Sequence, residues 1–153
     1  MKHLLYDIGY NDLKKAEELA QVAKALGAIV ADIRFYPHTR NPEFSLKHLQ
    51  AVLGENYVHV GELGNANYKG EGGIQLADAE AGMTILHDLL ANKPVIIMCA
   101  CWKRSECHRV HVAGEYEKRF GVATTPITRS EARTLLETAQ AAKNPQMPLF
   151  PSE

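Results

Sequence analysis

Between Pro94 and the first of three clustered cysteines the chain reads Val-Ile-Ile-Met, residues 95–98, apolar at every position and β-branched at three. A strand with apolar residues only at alternate positions can leave one face in water, whereas one that is apolar throughout has to be covered on both. That requirement points to a parallel sheet held between two layers of helices. The rest of the chain fits it. HLLYDIGY (3–10) is a short apolar run ending at a glycine, and Asn11-Asp12 are placed to cap a charged, Ala/Leu-rich helix from Leu13 to Leu26. Gly27 ends that helix, and AIVADIRF (28–35) reads as the second strand. A loop marked by Pro37 and Pro42 leads to a helix from Ser45 to Leu53, capped by Ser45, and then to a third strand, NYVHV.

Gly61 to Gly73 holds five glycines and reads as irregular, the kind of long loop that more often binds something than merely connects. A helix from Ala77 to Asn92 is broken by Lys93-Pro94 before the strand Val95–Met98. Cys107 to Phe120 continues as helix to Gly121, VATTPI supplies a fifth strand, and Ser130 is placed to cap a last helix running to Ala142. Strands alternating with helices define an α/β fold, three-layered, with about five mostly parallel strands. At 153 residues the chain is one domain, residues 1–143, followed by a short Pro-containing tail, 144–153.

A net charge of −1 gives no global basic field for nucleic acid, so any contact with a polyanion has to be local. The N-terminus is too short and polar in its apolar stretch for a signal peptide, nothing approaches a membrane span, and a cytoplasmic location is expected. Three cysteines within nine positions do not make a disulfide framework.

In an open α/β sheet, ligands bind where the loops leave the carboxyl ends of the strands. Here those ends carry Asp32 and Arg34 on the second strand, His59 on the third, and Cys99 and Cys101 on the fourth. Lys103, Arg104, Cys107, His108 and Arg109 then surround the start of a helix whose unpaired amides favour an anion. A thiol in such a place has two functional fates. Helix end and guanidinium groups can stabilise its thiolate, making Cys99 or Cys107 a nucleophile with His108 or His59 as acid/base. Alternatively Cys99, Cys101, Cys107 and His108 offer ligands to zinc, although C-x-C-x5-C-H lacks the paired C-x2-C knuckles of structural zinc sites. The sequence requires no other cofactor. A plain reading competes with both: strand-end cysteines are often just small hydrophobes, and Cys101 fits that best. Arg34 likewise has Asp32 and Glu62 within reach as structural partners.

Three blocks, VADIRFYPHTRNPEFS, YVHVGELGN and VIIMCACWKRSECHRVHVA, resemble the motif blocks of the DUF488 family of small bacterial and archaeal proteins, in the family's order. The resemblance carries family positions onto Asp32, Arg34, Pro37, Arg40, Leu63, Gly64, Cys99, Cys107, His108 and Arg109. It implies an α/β fold. The strand-end residues themselves point to a small anionic or phosphate-bearing ligand, such as a nucleotide, with Asp32, Arg34, Arg40, His59, Gly64, Arg104 and Arg109 as the candidate contacts. The chain departs from the family where Ala100-Cys101-Trp102 follow the first cysteine and where Leu63-Gly64 is followed by Asn65. The layout is also that of cysteine phosphatases, but their C-x5-R spacing is absent, since Arg104 comes one residue too early.

The tail contains QMPLF, similar to the short peptide by which bacterial DNA-repair and replication proteins dock on the sliding clamp. Gln146 would supply hydrogen bonds, and Met147, Leu149 and Phe150 the apolar contacts. That resemblance implies a non-catalytic accessory protein as the alternative to an enzyme. The competing expectation is that Leu149 and Phe150 fold back on the domain.

Overall fold

The computed structural model describes residues 3–35, 37, 41–67, 73–100 and 108–143, with the last five as backbone only. In chain order the elements are β1 (Leu5–Gly9), α1 (Ala16–Leu26), β2 (Ile29–Asp32), α2 (Leu46–Leu53), β3 (Tyr57–His59), α3 (Ala79–Asn92), β4 (Val95–Cys99), α4 (His108–Phe120), β5 (Thr124–Pro126) and α5 (Arg129–Lys143). The five strands form one sheet in the order β3-β2-β4-β1-β5, and every pairing is parallel. β4 is buried at all five positions and lies at the centre, as its composition requires.

Two cores flank the sheet. One joins Ile8, Val30, Ile96 and Met98 to Leu19 and Val22 of α1, Leu49 of α2 and Ala132 of α5. The other joins Leu5, Ala31, Val95, Ile97 and Cys99 to Met83 and Leu86 of α3 and Val112 and Tyr116 of α4. The alternation along each strand thus sends successive side chains to opposite layers, and both layers are apolar. Among the described residues no helix is long and apolar enough to cross a membrane.

Several boundaries differ from those read in the sequence, for local reasons. Asn11 and Asp12 do not cap α1, because Tyr10–Asp12 form a tight 3-10 turn that carries Tyr10 and Leu13 into the core. The helix starts at Ala16, with no capping side chain on Lys15. A distant carboxylate replaces the cap: Glu43 Oε1 accepts from the Ala16 N–H at 3.1 Å. Gly27 does end α1, at φ 62°, and the Ala28 N–H reaches back to the Ala23 carbonyl at 2.8 Å, the bonding of a left-handed helix stop. Ser45 caps α2 through the His48 N–H. At α5 the cap is Thr128 rather than Ser130: its hydroxyl accepts from the Glu131 N–H and donates to the Glu131 carboxylate. The glycine-rich stretch is more ordered at its ends than expected, with a 3-10 turn at Gly61–Leu63 and an antiparallel bridge from Asn65 to Leu76.

β2 stops at Asp32 although its apolar run continues, because Arg34 folds back on Asp32 and the chain bends away. The sheet's hydrogen bonding persists just past that point, from Ile33 N–H to Met98 O at 3.0 Å and from Val60 N–H to Asp32 O at 2.8 Å. Gly64 lies against the bend. A Cβ on it would stand 2.3 Å from Phe35 Cα, far inside contact distance and against backbone that has nowhere to go. Gly114, in the middle of α4, has nothing within 4 Å of such a Cβ. We expect Gly64→Ala to lower stability by about 1–3 kcal/mol or more, and Gly114→Ala to raise it by about 0.8–1.0 kcal/mol. Urea unfolding of the two variants checks this, and equal effects would mean that the Gly64 contact is not the constraint described.

Candidate functional site

β4 passes its chain to α4, on the opposite face of the sheet from α1 and α2, which follow its neighbours β1 and β2. The chain therefore parts to both sides at the carboxyl end of β4, and a crevice belongs there. Side chains from four strands and α4 stand at this edge.

On the α3/α4 face stands Asp7 of β1, 1% exposed, where an otherwise apolar strand has a carboxylate. Arg109, in the first turn of α4 and 4% exposed, donates from Nε to Asp7 Oδ1 at 3.0 Å. The same guanidinium donates from Nη1 to Cys99 Sγ, also at 3.0 Å. Cys99 is fully buried and is the free cysteine among the described residues. Sequence reasoning passed over Asp7. The signal was a single charge inside HLLYDIGY, at a position whose parity pairs it with buried Leu5.

On the α1/α2 face stands Asp32, fully buried. Its carboxylate accepts from the Arg34 backbone N–H (3.1 Å), Arg34 Nε (2.8 Å), Arg34 Nη2 (2.6 Å) and the Tyr57 hydroxyl (2.5 Å). Arg34 Nη1 donates to the Phe44 carbonyl at 2.8 Å, and its guanidinium carbon lies 5.5 Å from the centroid of the Tyr10 ring, which stacks on Phe44. Burial works against the arginine's charge, but the hydrogen bonds and charge of Asp32 outweigh it and hold the Arg34 pKa above its ordinary value. Burial and the adjoining Asp32 charge push the Tyr57 hydroxyl well above the usual tyrosine range, so it stays a donor. Of the two structural partners the sequence offered Arg34, the structure selects Asp32.

Two histidines tie these faces together. His108 Nε2 donates to the Ile33 carbonyl at 2.8 Å, linking the start of α4 to the end of β2. His59 Nε2 donates to the Arg34 carbonyl at 2.7 Å. A carbonyl can only accept, so both rings carry a proton on Nε2. Burial, with the Arg109 charge adding to it, lowers the His108 pKa, against a smaller upward pull from the Ile33 hydrogen bond. On the other side of β4, Asn11 Nδ2 donates to the Ala100 carbonyl at 2.5 Å. The exit of β4 is thus fixed to both neighbouring strands.

Gly64 enters as the backbone contact with Phe35 described above. Arg40, Cys101, Lys103, Arg104, Cys107, Gln146, Met147, Leu149 and Phe150 lie outside the described residues. Of the four zinc candidates only Cys99 and His108 are described. The Cys99 sulfur faces a guanidinium, which opposes a second cation at the same atom.

The model of the family described as "Domain of unknown function DUF488" matches residues 15–116, and the chain belongs to it. No curated protein and no solved structure matches the chain.

Two outcomes test this geometry. Removing one member of a buried ion pair leaves the other charge without compensation, so Asp32→Asn should cost about 3–5 kcal/mol. Tyr57→Phe removes one donor of four and should cost about 1–3 kcal/mol. Chemical denaturation that ranked the two the other way would contradict the assignment of Asp32 as the hub. The second concerns pH. A histidine with a lowered folded pKa binds fewer protons folded than unfolded, so stability is lost as pH falls through the unfolded value near ~6.5 and on toward the folded one. Replacing His108 with Asn should flatten the stability profile in that window, and an unchanged slope would remove His108 as its source.

Proposed function

We propose that the crevice at the end of β4 binds a small anionic or phosphate-bearing ligand, and that Cys99 serves there as a thiolate nucleophile. The observation that carries this reading is the Asp7–Arg109–Cys99 chain. A guanidinium donating to sulfur favours the thiolate over the thiol, while Asp7 holds the guanidinium in place. Complete burial opposes the charged form. The N-terminal end of α4, which begins one residue before Arg109, adds its positive dipole end on the favourable side.

The arginines divide the work unequally. Arg34 is balanced by Asp32 and acts as a positioning residue for the end of β2. Arg109 is shared between Asp7 and Cys99. The ligand's charge therefore falls chiefly to the α4 amides and to Arg104, with Arg40 as a further candidate. His59 supplies acid/base capacity: its Nε2 is committed to the Arg34 carbonyl, and Nδ1 takes no partner among the described residues. His108, kept neutral by burial, holds the turn into α4 and is the second candidate for proton transfer.

The test is alkylation of each cysteine across pH, read by mass spectrometry, in wild type and Arg109→Gln, with and without phosphate or nucleotides. Cys99 should react with an apparent pKa below the ordinary thiol value near ~8.5, an anion should protect it, and Arg109→Gln should raise that pKa. If Cys99 is inert at every pH in the folded protein, it is not a nucleophile. Anion-dependent shifts in melting temperature then decide whether ligand binding survives without the chemistry.

A further inference from the structure

Away from the crevice, three metal-binding side chains from three separate elements converge on one point. Glu17 comes from the first turn of α1, Glu43 from the 3-10 turn Pro42–Phe44, and His48 from the first turn of α2. One potential ligand atom from each lies within 4.8 Å of the other two. We propose that Glu17, Glu43 and His48 form a binding site for a divalent transition metal, best matched by Zn2+, that fastens α1 to α2.

Three observations favour a metal over a simple ion pair. First, the His48 Nε2 atom is shielded from solvent, although the side chain as a whole is 37% exposed, and it has no hydrogen-bond partner among the described residues. It stands 3.8 Å from Glu17 Oε1 and 3.6 Å from Glu43 Oε1. An imidazolium bonding to carboxylates would close to about 2.7–2.9 Å. The donor atoms of a tetrahedral zinc centre, with bonds of about 2.0–2.2 Å, lie about 3.3–3.5 Å apart, so the observed spacing is nearer the metal arrangement. Second, metal ligation requires the imidazole in its neutral form, so the three ligands together would carry two negative charges, which a divalent cation balances. Nitrogen and oxygen donors in this ratio suit Zn2+ better than the hard, all-oxygen cations. Third, the ligands differ in mobility in a useful way. Glu43 Oε1 is already fixed by the Ala16 N–H, His48 is fixed through its capped backbone, and Glu17 is 55% exposed and free to close the last few tenths of an ångström.

A metal here would hold the turn that ends at Phe44. Its carbonyl accepts from Arg34, so the site would brace the α1/α2 side of the crevice without touching its ligand.

The experiment uses the full chain and Co2+ as a spectroscopic substitute for zinc, with Zn2+ in parallel thermal melts. We expect the His48 ring resonances to be the first shifted by Co2+, with no thiolate-to-cobalt charge-transfer band, and Zn2+ to raise the melting temperature by a few degrees. Glu17→Gln, on an exposed side chain, should weaken Co2+ binding by at least about tenfold, and His48→Asn should do the same. His48 resonances that do not move, a thiolate band accompanying the bound metal, or unchanged affinity in both variants would each overturn the site.

Discussion

The fold depends at its functional edge on two buried carboxylate–guanidinium pairs, one on each face of the sheet. Asp7–Arg109 stands among α3 and α4, and Asp32–Arg34 among α1 and α2. Each ion would be costly to bury alone, and neither pair contributes much net stability against apolar residues of the same volume. Their contribution is to geometry. Arg34 bends the chain out of β2, so the strand ends where the crevice begins. Arg109 brings the first turn of α4 down onto β1 and β4, so that the helix start faces the same crevice from the opposite layer.

Pairing also constrains the chemistry. The sequence presents an edge rich in arginine, from which an anion trap is the natural expectation. In the structure each described arginine at that edge already has a carboxylate, so their full charges are not available to a ligand. What remains is directional: the positive dipole end of α4, and a guanidinium shared between Asp7 and a sulfur. An arrangement of that kind is better suited to polarising one atom than to drawing in anions from a distance. That is why the proposed function rests on the contact between Arg109 and Cys99 more than on bulk affinity for phosphate.

Much of this was legible in the sequence, and the reasons for what was not are physical. The uniformly apolar Val95–Met98 run dictated a central strand, and the Asp-x-Arg ending of β2 supplied its own ion pair within two residues. The roles of Asp7 and Asn11 were not legible, because each acts across the sheet on a partner 102 and 89 residues away. No periodicity reports such a distance. Tyr57 read simply as strand composition, and its hydroxyl bond to Asp32 depends on a parallel register that puts Val30 beside Tyr57 and Asp32 beside His59. Asn11 even carried a misleading local signal, since Asn before a helical stretch is a good cap. The burial of Tyr10 and Leu13 overrode it.

The extent of the family match sharpens the point about Asp7. The matched segment, residues 15–116, contains Asp32, Arg34, Cys99 and Arg109 but not β1. Yet β1 lies between β4 and β5, pairing with β4 along its whole length and with β5 from Leu5 to Asp7. A sheet built from the matched segment alone would expose the flank of β4, leave Arg109 without its carboxylate, and lose the Asn11 tie to Ala100. The cysteine would then face an uncompensated guanidinium, a different electrostatic setting from the one described. The surroundings of Cys99 and Arg109 are therefore set in part by a strand outside the segment that identifies the family.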